Sequence, residues 1–499
     1  MWIPLLVVVV IGSLLHFTEA QHPCDSITGN YETWLTSAQR VDVVVVGGGA
    51  SGLSAAKVLL KDSTADVVVL EAQDYLGGRV KTHRQGDILV EDGAEWINGG
   101  VANRLFGLAK RLNALTNPIP ASAYDWRART WDGTVADARG YDAAARLFEK
   151  CEEPGIQVNY YTTGYGKCYI DRFDKVYKNS RAVAREKAGW YHYLHMWVNK
   201  DVGCTDWMEQ SARDADRFTD WGYDRWNQWK DGYDTVITHI TKSVPDNKIR
   251  TSTPVCKILW DQPGGEDVVL VVTQGGDAYL ASHVIFTASI GHLKDRHTHL
   301  FEPQLPQSYR DAMNGIELGI ANKVQLGWSY PWWGPDPLNL HIIFPKMELP
   351  PQKSWLYGLM EILTIHQQPN MLQGFIPGDY GIALENLPEA TVKEHIVQHL
   401  KDVTGQNVPE PTFFRRSRWM ANPWTRGSYN SFVTVEGDMA GLRNRNPLTR
   451  PLVNSNQKKM LYWAGEHLSN TRYGTVDGAM DTGETQAYRL IDANPKYWK

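Results

Sequence analysis

The stretch from Val41 to Glu71 restricts this chain more than any other. Val41–Val46 reads VDVVVV, a β-branched run suited to a strand buried on both faces of a parallel sheet. GGGASG follows without a gap and sets Gly47, Gly49 and Gly52 in G-x-G-x-x-G spacing. LSAAKVLLK then carries a helical pattern, and ADVVVLE a second strand ending in Glu71. The first glycine permits the tight turn, the second lets a pyrophosphate approach the backbone, and the third allows close helix packing. Free N–H groups and the dipole at the helix start favour phosphate. Glu71 is placed to accept hydrogen bonds from ribose hydroxyls. Together these features predict a Rossmann-like dinucleotide-binding domain.

A length of 499 residues predicts two domains. Hydrophobic content of 42% with 21% charged residues belongs to a globular chain, and a formal charge of −5 gives no support to nucleic-acid binding. The N-terminus reads MWIPLLVVVVIGSLLHFTEA. Its apolar run Ile3–Leu15 is too short to span a bilayer. Thr18 and Ala20 offer small residues at cleavage spacing, although no Lys or Arg precedes the run. Residues 1–20 are therefore expected to be a signal peptide cleaved after Ala20, giving a secreted protein with no stable membrane insertion. The five cysteines, Cys24, Cys151, Cys168, Cys204 and Cys256, form no Cys/His cluster, so no metal is expected. One or two disulfides suit an oxidising compartment, with Cys151 and Cys168 the nearest pair in sequence. The odd count leaves at least one thiol unpaired within the chain.

Three further blocks carry chemistry. YLGGRVKT (75–82) places Gly78 and Arg79 beyond the second strand, within reach of the same pyrophosphate. VEDGAEWING (90–99) follows. Near the end, LYWAGEHLSNTRYGTVDGAM (461–480) runs from an apolar strand through Glu466 to a helix start, with Asp477 the expected N-cap. GGGASG, Glu71, GGR, GAEWING and the AGEH–YGTVDGA pair resemble the flavin-dependent amine oxidases, and within them the polyamine and spermine oxidases.

That resemblance, which runs with gaps from Val41 to Ile491, implies FAD and an α/β, two-domain flavoprotein. It implies a Rossmann-like FAD-binding domain from 38–105, 225–292 and 455–499. A substrate-binding domain with a mixed sheet and helices would come from 106–224 and 293–454. It implies Lys323 as the catalytic lysine that positions water, or helps dioxygen react, at the flavin N5. A lysine in an otherwise apolar strand is costly to bury without partners, which favours the same reading. Glu466 would hold the FAD ribityl chain, Val255 the adenine end through its backbone, and Trp419 would pack near the flavin. Thr475 and Val476, at the late helix start, would face the ring. His467 suits a structural hydrogen bond as well as flavin contact.

On the substrate side, Tyr429 matches one of two aromatics that sandwich substrate in plant-type relatives, and the other position falls on Thr475. This pairing is more similar to the animal spermine oxidases. Relatives often carry Glu or His at the pocket mouth, where this chain has Asn98. Glu95 and Asp201 are the candidate replacements for an acidic anchor. The implied partners are a small amine and dioxygen. An L-amino-acid oxidase on the same fold is the alternative, with Arg418 or Arg426 gripping the carboxylate, and a non-catalytic secreted flavoprotein is a third.

From Asn103 to Tyr223 the pattern is mainly helical and rich in Trp and Tyr, suiting an aromatic core or an aromatic-walled region. From Leu293 to Pro451, runs such as NKVQLGWS and GFIPGDY predict a sheet facing the flavin.

Overall fold

The computed structural model describes residues 22–116, 120–153, 155–219, 227–261 and 267–499. The expected signal peptide, its cleavage site and the boundary at 224/225 lie outside them. Strand β1 (Gln39–Val46), helix α1 (Ala50–Asp62) and strand β2 (Val67–Leu70) form the expected unit. β1 and β2 pair in parallel, Val43 opposite Val67 and Val46 opposite Leu70. The valine run is unbroken because alternate residues serve two cores. Val43 and Val45 pack with Ala55 and Leu59 of α1 and with Leu490 near the C-terminus. Val44 and Val46 pack with Ile258, Phe286 and Trp463 on the other face.

The larger sheet has nine strands. β1 lies between β2 and a strand of residues 278–286, parallel to both. That strand begins beside Val269–Thr273, itself antiparallel to β3 (Val255–Leu259), and ends beside Lys459–Trp463. The late strand thus enters the nucleotide domain beside the first one, which is why a site can draw on both ends of the chain. Phe301–Glu302 and Leu452–Val453 join the sheet as well, beyond the boundaries expected at 292 and 455.

The second sheet has six strands in the order 413–416, β4 (Ala321–Gly327), β6 (Gln368–Pro377), β5 (Glu361–Ile365), 338–343 and 125–130. Only the last pair is parallel. Since side chains alternate along a strand, register decides what shares a face. Lys323 stands opposite Phe375 on β6, and Glu361 opposite His341. The mainly helical stretch holds Ala138–Glu152, Lys167–Ser180 and α2 (Lys187–Val202), and its strand Asp125–Thr130 belongs to this sheet. Its aromatics divide: Trp190 and Tyr169 are core, while Trp126, Tyr141 and Trp197 reach a cavity.

Two disulfides close the chain, Cys151–Cys168 and Cys24–Cys256, and Cys204 is a buried free thiol. No helix among the described residues is long and apolar enough to cross a membrane. No cluster of metal-ligating residues occurs among them either.

Candidate active site

A cavity of about 1840 Å³ runs from the glycine turn to the six-stranded sheet. Gly47, Gly49, Glu71, Gly78, Arg79, Val255, Trp419, Glu466, Thr475 and Val476 all line it, as do Lys323, Tyr429 and Asn98. Of the expected site residues only Gly52 stands back. A Cβ there would lie 2.0 Å from the Gly47 carbonyl oxygen, so this glycine serves close packing of helix on strand. At Gly49, by contrast, a Cβ would meet nothing closer than 3.9 Å, and the turn is open on that side.

The nucleotide end fits a dinucleotide on its own terms. No side chain caps the start of α1, so its first N–H groups have no side-chain partner at a cavity wall made by Ala50 and Ser51. The buried Ser51 hydroxyl also lacks a protein partner. Glu71 accepts backbone N–H groups from Gly48 (2.6 Å) and Gln73 (2.8 Å), one on each oxygen, which leaves lone pairs for sugar hydroxyls. Burial pushes its carboxyl up against those bonds. FAD, when bound, would be held here by Glu71, the α1 start and the glycine turn.

At the late turn, Glu466 ties three segments together. Its Oε1 accepts Arg79 Nη1 at 3.0 Å and the Ser431 hydroxyl at 2.5 Å, and its Oε2 accepts the Gly474 N–H at 2.7 Å. Burial works to raise this carboxyl, but Arg79 and the hydrogen bonds outweigh it and hold it below the ordinary value. Arg79 Nη1 also reaches the Ser428 carbonyl at 3.1 Å. His467 is buried and does not line the cavity, and burial pushes its imidazole down to about 4. Helix α3 (Val476–Asp492) is capped by Thr475, whose hydroxyl accepts the Gly478 N–H at 3.1 Å and donates to the Arg472 carbonyl at 2.7 Å. Asp477 is therefore not the N-cap. Its carboxylate is paired with Arg472 at 2.9 Å instead.

Lys323 is 3% exposed and finds three acceptors for its three protons. They are the Glu91 carbonyl at 3.1 Å, the Gly93 carbonyl at 2.9 Å and Glu95 Oε2 at 2.7 Å. Trp96 and Phe375 flank the ammonium at 5.6 and 5.2 Å from their ring centroids. Glu95 also accepts Gln228 and Gln373, so it is the counter-charge of Lys323 and not an anchor at the mouth. Asn98 is exposed there, and its carbonyl accepts the Asn103 amide. Asp201 lines the cavity and is also exposed. Trp419 donates Nε1 to the Asp92 carbonyl at 3.1 Å, which fixes its indole plane against the wall. Tyr429 donates its hydroxyl to the Lys200 carbonyl at 2.5 Å, satisfying a carbonyl in the last turn of α2.

Sequence reasoning missed a second ion pair in the cavity, Lys200 Nζ to Glu361 Oε2 at 2.9 Å. Lys200 also stands 5.7 Å from the Phe375 centroid, on the way from Lys323 to a chamber walled by Tyr124, Trp126, Tyr141 and Trp197. Burial works to raise the Glu361 carboxyl, but Lys200 holds it below its ordinary value. The hydroxyls of Tyr124 and Tyr141 are each pushed up to about 12, by burial first and by the Glu361 carboxylate second. The signal available beforehand was a lone carboxylate in the apolar run LMEILTI.

A glycine-turn nucleotide cleft continuous with an aromatic, carboxylate-rich chamber defines a flavoprotein oxidoreductase. The family comparison is consistent with that class, since the model for flavin-containing amine oxidoreductases matches residues 50–150 and 173–491. The chain belongs to this family, and it is an FAD-dependent amine oxidase. It is 26% identical over 501 residues to the peroxisomal N(1)-acetyl-spermine/spermidine oxidase of Bos taurus, covering 90% of this chain and 94% of that one. It is 24% identical over 478 residues to polyamine oxidase 1 of Zea mays, covering 91% of each. Among solved structures, putrescine oxidase bound to putrescine shares the fold, with a TM-score of 0.67 and 19% identity over 91% of this chain and 100% of that one.

The arginines that an amino-acid oxidase would require are elsewhere. Arg418 is exposed, Arg426 pairs with Asp295 at 3.2 Å, and neither lines the cavity.

Proposed function

We propose that this chain is a secreted oxidase of polyamines or related secondary amines. The charge of the cavity carries the substrate class. Among the described residues its wall holds eleven acidic and three basic side chains. All three basic groups are already paired, Arg79 with Glu466, Lys200 with Glu361 and Lys323 with Glu95. Asp92 and Asp477 are neutralised from behind the wall by Arg415 and Arg472, and the carboxylates that remain favour a polycation, at about 1–4 kcal/mol per close charge pair. The printed names of the relatives, which concern acetylated spermine, spermidine and polyamines, point the same way.

FAD, held by Glu71, the α1 start and the glycine turn, would supply two-electron oxidation of the carbon beside the amine nitrogen, with dioxygen as the final acceptor and hydrogen peroxide as its product. The imine so formed on the substrate takes up water and separates into an aldehyde and a smaller amine. The protein's own work is to place and dry the reacting carbon. Phe375, Trp96 and Tyr429 supply apolar walls, Glu466 and Arg79 brace the late turn, and Lys323 sets a fixed positive charge beside them.

Secretion is supported by the apolar leader and by two disulfides, which form and persist in oxidising compartments. A peroxide assay with spermine, spermidine, acetylated spermine and a set of L-amino acids, with product identification, tests the reaction. Peroxide and an aldehyde from one or more polyamines are expected. Peroxide from L-amino acids alone, or a yellow protein that no amine bleaches without oxygen, would overturn the reading. N-terminal sequencing of protein recovered from the culture medium should begin at Gln21, and retention inside the cell with Met1 in place would refute secretion.

A further inference from the structure

We infer that Glu361 takes the distal ammonium of a polyamine, and that Lys200 is a built-in counter-cation which this ammonium displaces. This rests on the polyamine reading above and extends it to a specific subsite.

Sheet register places the subsite. Lys323 on β4 stands opposite Phe375 on β6, and Gly374 of β6 stands opposite Ile362 on β5, so Glu361 falls beside Phe375 on the same face. Neighbouring strands are about 4.8 Å apart, which puts Glu361 about 10 Å from the Lys323 position across the sheet. Phe375 fills the gap, with Lys323 5.2 Å from its ring centroid on one side and Lys200 5.7 Å on the other. A polyamine whose reacting carbon lies near Lys323 would cross the Phe375 ring and set its next nitrogen at Glu361. A monoamine of the same length would bring only hydrocarbon there.

The walls around Glu361 suit a cation. Phe375 already presents its ring to the Lys200 ammonium at 5.7 Å, and Tyr124, Trp126 and Tyr141 line the chamber with it. Aromatic faces attract ammonium groups, and more strongly when water is excluded. Lys200 shows that the site accepts an ammonium, because its own is seated there at 2.9 Å. What holds Lys200 in place is its backbone: its carbonyl is fixed by the Tyr429 hydroxyl. The side chain is a flexible four-carbon stem ending in a point charge, able to swing away without unfolding α2. Two ammonium groups on one half-buried carboxylate repel each other, so the better-anchored one stays. An anionic substrate would do the reverse, pairing with Lys200 and repelling Glu361. The pair therefore sorts substrates by charge.

Steady-state kinetics of the holoenzyme and of the variants Glu361→Gln and Lys200→Met test this, with spermine and the singly charged N-methyloctylamine as substrates. Glu361→Gln should raise the spermine KM about tenfold, and by more than it raises the monoamine KM. Lys200→Met should lower the spermine KM by emptying the subsite. Because the two variants move KM in opposite directions, general damage to the fold cannot imitate the pattern. Equal shifts for both amines in Glu361→Gln, or a higher spermine KM in Lys200→Met, would overturn the inference. Calorimetry of spermine on the holoenzyme separates this from the reaction itself. Binding that Glu361→Gln weakens, without any turnover of amines, keeps the subsite and refutes only the proposed reaction. No spermine binding by the wild type overturns both.

Discussion

Lys323 Nζ stands 2.7 Å from Glu95 Oε2, and both side chains are almost wholly buried. The same carboxylate accepts Gln373 at 2.9 Å and Gln228 at 3.0 Å, so charge and hydrogen bonds are matched within one closed network. Lys323 is therefore structural, and it also lines the cavity. Replacing it by Met strands a buried carboxylate, which typically costs about 3–5 kcal/mol. Lys323→Met should lower the unfolding midpoint clearly, and adding Glu95→Gln should recover much of the loss. Stopped-flow measurement of flavin reoxidation in the same proteins tests the chemical role. Slower reoxidation with FAD still bound is expected, and a rate equal to wild type would remove Lys323 from the reaction.

Glu466 links the Arg79, Ser431 and Gly474 segments around the cofactor cleft. Hydrogen bonds to a charged group contribute about 1.5–3 kcal/mol each. Glu466→Gln should weaken FAD binding by about ten- to a hundredfold, read as the Kd from fluorescence titration of apoprotein. An unchanged Kd would leave Glu466 as a tie between loops and nothing more.

Stability should fall in mild acid. His283, His292, His341, His399 and His467 are each pushed down to about 4 by burial. In the unfolded chain they bind protons near 6.5, so between about 6.5 and 4 the unfolded state holds more protons and gains on the folded one as pH falls. Glu91, pushed up to about 7 by burial, acts in the opposite sense above 4.5, as do Glu71, Glu209, Asp214 and Asp481, whose carboxyls burial also raises. The lowered histidines, His195 at about 4 among them, outnumber these five. Scanning calorimetry should show a lower Tm at pH 5 than at pH 7, and a flat or rising Tm on acidification contradicts this balance.

What the sequence made legible was local. The β1–α1–β2 unit is contiguous, so its glycines and Glu71 could be placed from spacing alone, and Lys323 stood out because an ammonium in an apolar strand demands partners. The identity of those partners was not legible. Glu95 lies 228 residues from Lys323, and its position in GAEWING suggests a substrate anchor until the fold brings the two together. Glu361 and Lys200 are separated by 161 residues, and neither stands in a motif. The N-cap of α3 was misplaced by two residues because Asp and Thr both cap helices. Only the folded turn shows Arg472 claiming Asp477 and leaving the cap to Thr475.

The Cys24–Cys256 bridge joins the start of the described chain to β3, one residue from Val255 on the cavity wall. Beside it, His22 packs edge-on against Trp424 at 4.9 Å and lies 5.9 Å from His292, and both partners line the cavity. The bridge therefore pins an N-terminal segment against the expected adenine end of the cleft. It closes a loop of sequence separation 232, against 17 for Cys151–Cys168. In the chain-entropy account the longer loop stabilises more, with about 2–4 kcal/mol typical of a disulfide. Cys24→Ser with Cys256→Ser should lower Tm more than Cys151→Ser with Cys168→Ser, and it should also raise the Kd for FAD. The second pair lies on the substrate side and should leave that Kd near its original value. Equal losses of FAD affinity in both double variants would show general loosening, and would refute a specific brace at the adenine end.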